Sequence, residues 1–189
     1  MFLHDDIKLD YSDVLIVPQA SNVSSRKEVN LEVETTFKCG RIWKGVPIMA
    51  SNMSTIGTHA MAKALYQHKM MTCLRKGGLY YENLIREMPE IEPYVTLTLG
   101  MDKESMLYID TADIKDPTFI CLDVANGYME KFIDFVKKVR AKWPTSILIA
   151  GNVVTPEGVE ELSKAGADLI KVGIGSGSMC LTRRVAGVG

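Results

Sequence analysis

The chain carries almost no net charge: 22 Lys and Arg against 23 Asp and Glu over 189 residues leave −1. No bulk field therefore favours nucleic acid or an anionic membrane surface as partner. Long apolar runs are also missing, and none approaches the roughly 20 residues that a bilayer-spanning helix needs. The opening "MFLHDDIKLD" is acidic where a secretory signal carries positive charge, so no export is expected. Cysteine is scarce and dispersed. Cys39, Cys73, Cys121 and Cys180 lie far apart with no C-x-x-C spacing, which excludes a zinc framework and a disulfide-stapled domain and fits the reducing cytoplasm. No linker or low-complexity stretch divides the chain. A single domain over 1–189 is expected, long enough to bury a good core.

What is present is ordinary globular composition, 47% hydrophobic and 24% charged, in an alternating order. Residues 1–44, with "DVLIVPQ" and "VNLEVETTF", read as short strands and loops forming an N-terminal cover. Over 45–189, six apolar runs follow: "VPIMAS", "MMTCL", "YVTLTLG", "TFICLDV", "SILIAGNV" and "LIKVGIG". Each is apolar throughout, as parallel strands buried on both faces are. Helical segments separate them. Met129, Phe132, Ile133, Val136 and Val139 recur at helical spacing, and Thr155-Pro156 reads as an N-cap and first turn, with Gly166 as the stop.

Such a βα rhythm makes an α/β fold, either a doubly wound sheet or a (β/α)8 TIM barrel. Polar residues at the strand ends decide between them. Asn52, Lys76, Gly100, Asp123 with Asn126, Gly151-Asn152 and the final glycine loop each follow one apolar run. A barrel gathers all these ends into one ring where its chemistry lies, whereas a doubly wound sheet concentrates its site at one switch point. The expectation is a TIM-type barrel with about six of its eight βα units, and six strands leave an open edge.

In "GIGSGSMC" three glycines alternate with other residues, so backbone can approach a ligand closely. Exposed N–H groups can hold phosphate and exposed carbonyls a monovalent cation. The loop is neither the G-x-x-x-x-G-K-[ST] phosphate motif nor a dinucleotide fingerprint, and by itself it serves a plain turn as well. Cys180 closes it. Serine, threonine and two arginines surround this cysteine and favour the nucleophilic thiolate. Cys73 and Cys121, inside strand-like runs, read as core instead. None of His4, His59 and His68 falls at a strand end, which argues against a cysteine-histidine pair; His59 and His68 read as surface residues of the first helix.

"KVGIGSGSMCLTRRVAGVG" closely resembles the catalytic loop of the IMP dehydrogenase/GMP reductase family. "CLDVANGY", "IAGNVVTPEGVEELSKAGADLIKVGIG" and "KLDYSDVLIVPQ" match it in order, so the resemblance covers nearly the whole chain. "DVANGY", and a second strand running on through "LRKGGLYYENL" with no inserted CBS pair, favour the reductase branch; "RVAGVG" reads more like the dehydrogenase branch. The resemblance implies NADPH-dependent reductive deamination of GMP to IMP, with Cys180 attacking purine C2 to give a covalent thioimidate and Thr182 managing protons. It implies Met53 beneath the purine and Ser178 at the substrate phosphate. It implies Ser25, Arg26, Lys76, Asp123, Val124, Ala125, Ile174 and Gly175 as NADPH contacts, and carbonyls of Gly175, Gly177 and Cys180 with Arg183 around potassium. Read without the family, Asp123 could cap a turn, Lys76 could be a solvated charge and Met53 could be core.

The sequence departs from the family pattern at Ser54 (usually aspartate), Arg75 and Gly77 (histidines), Ser176 (proline) and Leu181 (polar). The changes at "LRKGG" fall on the cofactor side. Family members continue through two further strands that grip the phosphate and a flap with an acidic residue. The expectation is therefore weak or no activity for this polypeptide alone, with a homo-oligomer (tetramers in the family) or a second polypeptide completing the barrel. NAD-dependent oxidation of IMP to XMP is the alternative activity. A non-catalytic nucleotide-binding partner of an intact relative is the alternative of another class.

Overall fold

The computed structural model describes residues 7, 9 and 11–189; His4, and Lys8 and Asp10 of "KLDYSDVLIVPQ", lie outside them. An antiparallel hairpin comes first, β1 (Val33–Thr36) and β2 (Ile42–Gly45). Six parallel strands follow: β3 (Met49–Ala50), β4 (Met71–Cys73), β5 (Val95–Leu99), β6 (Phe119–Asp123), β7 (Ile147–Val153) and β8 (Leu169–Val172). Five helices alternate with them: α1 (His59–Tyr66), α2 (Gly78–Glu87), α3 (Lys103–Thr111), α4 (Glu130–Lys142) and α5 (Pro156–Lys164). A short α6 (Thr182–Ala186) ends the described chain.

The sheet order β3-β4-β5-β6-β7-β8 is the chain order, with no reversal, so there is no switch point of the doubly wound kind. The two faces confirm the barrel. Leu97, Leu99, Ile120, Leu122, Leu148 and Ala150 share one cluster with Leu84, Ile109, Phe132, Val136 and Leu162 of the helices. Alternate residues Met71, Cys73, Phe119, Cys121, Ile147 and Ile149 form a second cluster with Trp43 of the hairpin and no residue of an α-helix. Helices thus cover only the outer face, and the inner face curves around its own side chains, an incomplete barrel of six strands.

The hairpin closes the inner cluster from the N-terminal ends of the strands. The Trp43 ring meets Phe119 edge-on at 6.0 Å, and its Nε1–H donates to the Pro93 carbonyl at 2.9 Å. Arg41 donates to Thr118 Oγ1 at 2.9 Å, beside the start of β6. β2 lies in "RIWKG", where one buried Trp between exposed neighbours gives no apolar run to read. "DVLIVPQ" forms no strand: Leu15 and Ile16 are about 95% exposed and no neighbouring strand supplies a ladder.

Local signals explain the helix starts. Thr58, Asp102 and Thr155 each accept a backbone N–H from three residues on, and Pro156 occupies the first turn of α5. Gly166, at φ +111°, turns the chain out of α5. Among the described residues no helix is long and apolar enough to cross a membrane.

Candidate active site at the strand ends

All the polar residues named at the strand ends sit at the same end of the sheet, because parallel strands deliver their C-termini together. Two compartments open there. One, of about 590 Å3, is lined by Met53, Asp123, Lys171, the glycine loop, Cys180 and Thr182. The other, of about 530 Å3, is lined by Arg75, Lys76, Tyr80, Thr98 and Glu104. Both fall in the range of small-molecule sites, about 300–1,000 Å3. Asn52, Ser54 and Asp123 line both, so the compartments share a wall.

That wall is stitched by backbone and amide bonds. Val124 N–H donates to the Gly151 carbonyl and Asn152 N–H to the Val124 carbonyl, each at 2.9 Å. Gly127 N–H donates to the Asn152 carbonyl, also at 2.9 Å. The Asn152 side chain then reaches Gly173, donating to its carbonyl at 2.7 Å. The phenol of Tyr128 accepts the N–H groups of Val154 and Thr155 at 2.8 and 2.9 Å. "DVANGY", "AGN" and the glycine loop are therefore one connected unit, tied strand end to strand end.

Cys180 is exposed at the end of that loop. Its Sγ lies 3.2 Å from the Thr182 hydroxyl, and its N–H donates to the Gly177 carbonyl at 3.0 Å. The hydroxyl and backbone N–H of Thr182, then the Arg183 charge, pull the thiol below its usual range, since each stabilises the thiolate. Gly175, at φ +58°, lets the loop fold back: a Cβ there would stand 3.1 Å from Arg183 and 3.5 Å from the Cys180 sulfur. Thr182→Val is expected to shift the pH profile of Cys180 alkylation upward and slow the reaction severalfold near neutrality, because fewer thiolates remain. The rates converge at high pH. An iodoacetamide pH series checks this, and an unchanged profile would refute it.

Lys76 pairs with Asp102 at 2.8 Å at the edge of the second compartment. Burial pushes the Asp102 carboxyl up, but hydrogen bonds from Lys76 and from Ser105 outweigh it and hold the pKa at about 2. Arg75 lies over the Tyr80 ring at 4.1 Å, and His59 stacks on that ring at 3.9 Å. His59 is thus a half-buried residue at the start of α1 that packs against α2 rather than a plain surface histidine, while His68 lies beyond α1 and is exposed. Cys73 and Cys121 are buried inside the barrel as read, 2% and 0% exposed.

The structure brings together Cys180, Thr182, Met53, Asp123, Val124, Ala125, Ile174, Gly175 and Gly177 in the first compartment and Lys76 in the second. Ser178 is exposed and Arg183 packs against Gly175, and neither is among the residues lining the two compartments. Ser25 caps a single 3-10 turn that begins at Arg26; both are exposed and line neither compartment. Sequence reasoning passed over Lys171, and it named Asn152 only as a polar residue at a strand end. The available signal for Lys171 was a lysine inside an otherwise apolar parallel strand.

Fold and site define the class: a parallel βα barrel, incomplete, with an exposed thiol on a glycine loop at its strand ends. The sequence pattern of the IMP dehydrogenase / GMP reductase domain matches residues 8–84 and 90–189, and the chain belongs to that family. GMP reductase 1 of Homo sapiens is 46% identical over 190 residues, spanning 97% of this chain and 55% of the relative. GMP reductase 1 of Rattus norvegicus is 44% identical over 192 residues with the same shares. GMP reductase of Enterobacter sp. (strain 638) is 44% identical over 195 residues, 100% of this chain and 56% of the relative. Among solved structures, inosine 5' monophosphate dehydrogenase from Legionella pneumophila superposes with a TM-score of 0.77 at 30% identity, over 96% of this chain and 55% of that one. The chain therefore spans about half the length of the relatives it matches.

Proposed function

We propose that the chain supplies the thiol-bearing half of a GMP reductase site. The observation that carries this reading is the exposed, acidified Cys180 in a crevice whose second compartment lies across the shared Asp123 wall. One compartment suits the purine nucleotide, with Met53 below the base and Ser178 toward the phosphate. The other suits the nicotinamide cofactor.

The thiolate of Cys180 adds to C2 of GMP, the C2–N bond to the exocyclic amine breaks, and ammonia leaves with a proton. Thr182, whose hydroxyl lies 3.2 Å from the sulfur, would relay that proton. A bound NADPH would be the hydride source for C2, and Cys180 would return to its thiolate as the C–S bond breaks and IMP is released. Covalent catalysis suits the reaction because it divides one hard displacement into two steps. Lys76, Asp123, Val124, Ala125, Ile174 and Gly175 would hold the cofactor, with Ser25 and Arg26 as its outer contacts. A loop of glycine carbonyls matches the neutral oxygen donors that potassium takes, and Gly175, Gly177 and Cys180 with Arg183 would hold that ion. The proposed setting is the cytoplasm, with a further copy or a second polypeptide completing the barrel.

The test is NADPH oxidation with GMP, run on the chain alone and together with a polypeptide matching the remaining half of its relatives. Formation of IMP in either arm supports the reading; brisk turnover by the chain alone overturns the expectation that it is weak by itself. XMP formed from IMP and NAD+ instead would move the assignment to the dehydrogenase branch. No turnover in any arm would leave a nucleotide-binding assembly partner as the better reading.

A further inference from the structure

Lys171 stands on β8 in the run "LIKV", and its side chain turns inward, only 25% accessible. Its ammonium donates to Asn52 Oδ1 at 2.9 Å and forms an ion pair with Asp123. Asn52 follows β3 and Asp123 ends β6, so three strand ends meet on one cation. β3 and β8 are the two terminal strands of the sheet, and the contact between them joins residues 119 apart in sequence. The lysine stem crosses directly over Gly151, where a Cβ would stand 2.6 Å from the Lys171 Cβ. Burial works against the charge, but the surrounding groups, the paired Asp123 carboxylate among them, outweigh it, and Lys171 is held protonated.

We propose that Lys171 is a positioning residue that locks Asn52 and Asp123 into one arrangement across the crevice mouth, presetting the wall that both compartments share. The role differs from substrate contact. A free Asp123 carboxylate has several rotamers, and ordering it when ligand arrives costs conformational entropy. Held in advance by a cation that is itself packed against Gly151, the wall needs no reorganisation during reaction. The cost is a half-buried charge on an otherwise apolar strand, offset here by one carboxylate and one amide oxygen.

This inference rests on the crevice being the reaction site, and its test has an arm that does not. In the ligand-free protein, a proton–nitrogen correlation spectrum of lysine ammonium groups should show a signal for Lys171 at neutral pH, protected from exchange, absent in Lys171→Arg and weakened by Asp123→Asn or Asn52→Ala. No protected ammonium, or one indifferent to Asp123→Asn, overturns the strut whatever the protein catalyses. In the functional arm, whichever nucleotide reaction the protein runs is measured in Lys171→Met, Lys171→Arg, Asp123→Asn and the Lys171→Met/Asp123→Asn pair. Misplacing a wall residue by about 1 Å costs on the order of 100-fold. Lys171→Met should therefore lower kcat by about that factor with KM little changed, and Lys171→Arg should recover most of it. The Asp123→Asn loss should not multiply with that of Lys171→Met, since the two act as a unit. Multiplying losses, or no recovery in Lys171→Arg, would refute positioning. Absence of turnover in the wild type would defeat the functional reading alone, leaving the spectroscopic arm to judge the strut.

Discussion

Cys180→Ala is expected to abolish GMP reduction, lowering turnover a thousandfold or more, as removal of a covalent nucleophile does. The same variant should erase the one fast-reacting thiol. Of the four free cysteines only Cys180 is exposed, while Cys39 is half-buried and Cys73 and Cys121 are enclosed. Brief iodoacetamide treatment of the native protein should therefore place one label, on Cys180. What prepares this thiol is unusual for a nucleophilic cysteine. Among the described residues no histidine lines its compartment, and His59 is engaged with Tyr80 on another element. The thiolate is favoured instead by the Thr182 hydroxyl and N–H and by Arg183. A thiol prepared by neutral donors and a fixed cation carries no imidazole titration into its reactivity, so alkylation should follow a single ionisation from pH 5 upward. Retained GMP reduction in Cys180→Ala, or a label distributed over several cysteines, would refute the assignment.

Much of this architecture was legible because parallel strands buried on both faces must be apolar, and the six runs stood out for that reason. Each run overlaps one of β3 to β8, although β3 contains only Met49 and Ala50. Caps were equally readable, since Thr155-Pro156 acts through adjacent atoms. The strand-end polarity pointed to the barrel because parallel topology converts position along a strand into position on one rim. The Lys171 strut was not legible for the complementary reason. A lysine in a strand reads as a solvated edge charge until its distant partners are known, and Asn52 lies 119 residues away. The hairpin strand β2 escaped because its burial alternates around Trp43 and Gly45 alone. His59 escaped because its partner, Tyr80, belongs to the next helix.

Stability should hinge on a site far from the chemistry, at the opposite end of the strands. The Asp168 side chain is 1% accessible. One of its carboxylate oxygens accepts Cys39 N–H at 3.0 Å; the other accepts Leu148 N–H at 2.9 Å and pairs with Arg140. Arg140 in turn donates to the carbonyls of Gly166 at 2.8 and 3.0 Å and of Ser146 at 2.7 Å. The hairpin, β7, α4 and the turn before β8 thus converge on one ion pair. Such a pair adds little over an apolar replacement of the whole cluster, but removing one member strands the other, at about 3–5 kcal/mol. Asp168→Asn should therefore be severe despite its similar shape, because an amide that keeps one acceptor must turn its N–H2 toward a backbone N–H or the guanidinium. Against a typical total of about 5–15 kcal/mol, that loss is large, and the melting temperature should fall by roughly 10 °C. Arg140→Lys should cost less, since it retains the charge and loses only the planar fork. Denaturant unfolding orders the two variants, and hydrogen exchange locates the damage: the Cys39 and Leu148 amides should lose protection first, because each donates to the carboxylate itself. If Asp168→Asn unfolds within 1 kcal/mol of the parent, with both amides still protected, the cluster is not what joins the hairpin to the barrel, and the aromatic contacts of Trp43 with Phe119 and Tyr94 must carry that junction instead.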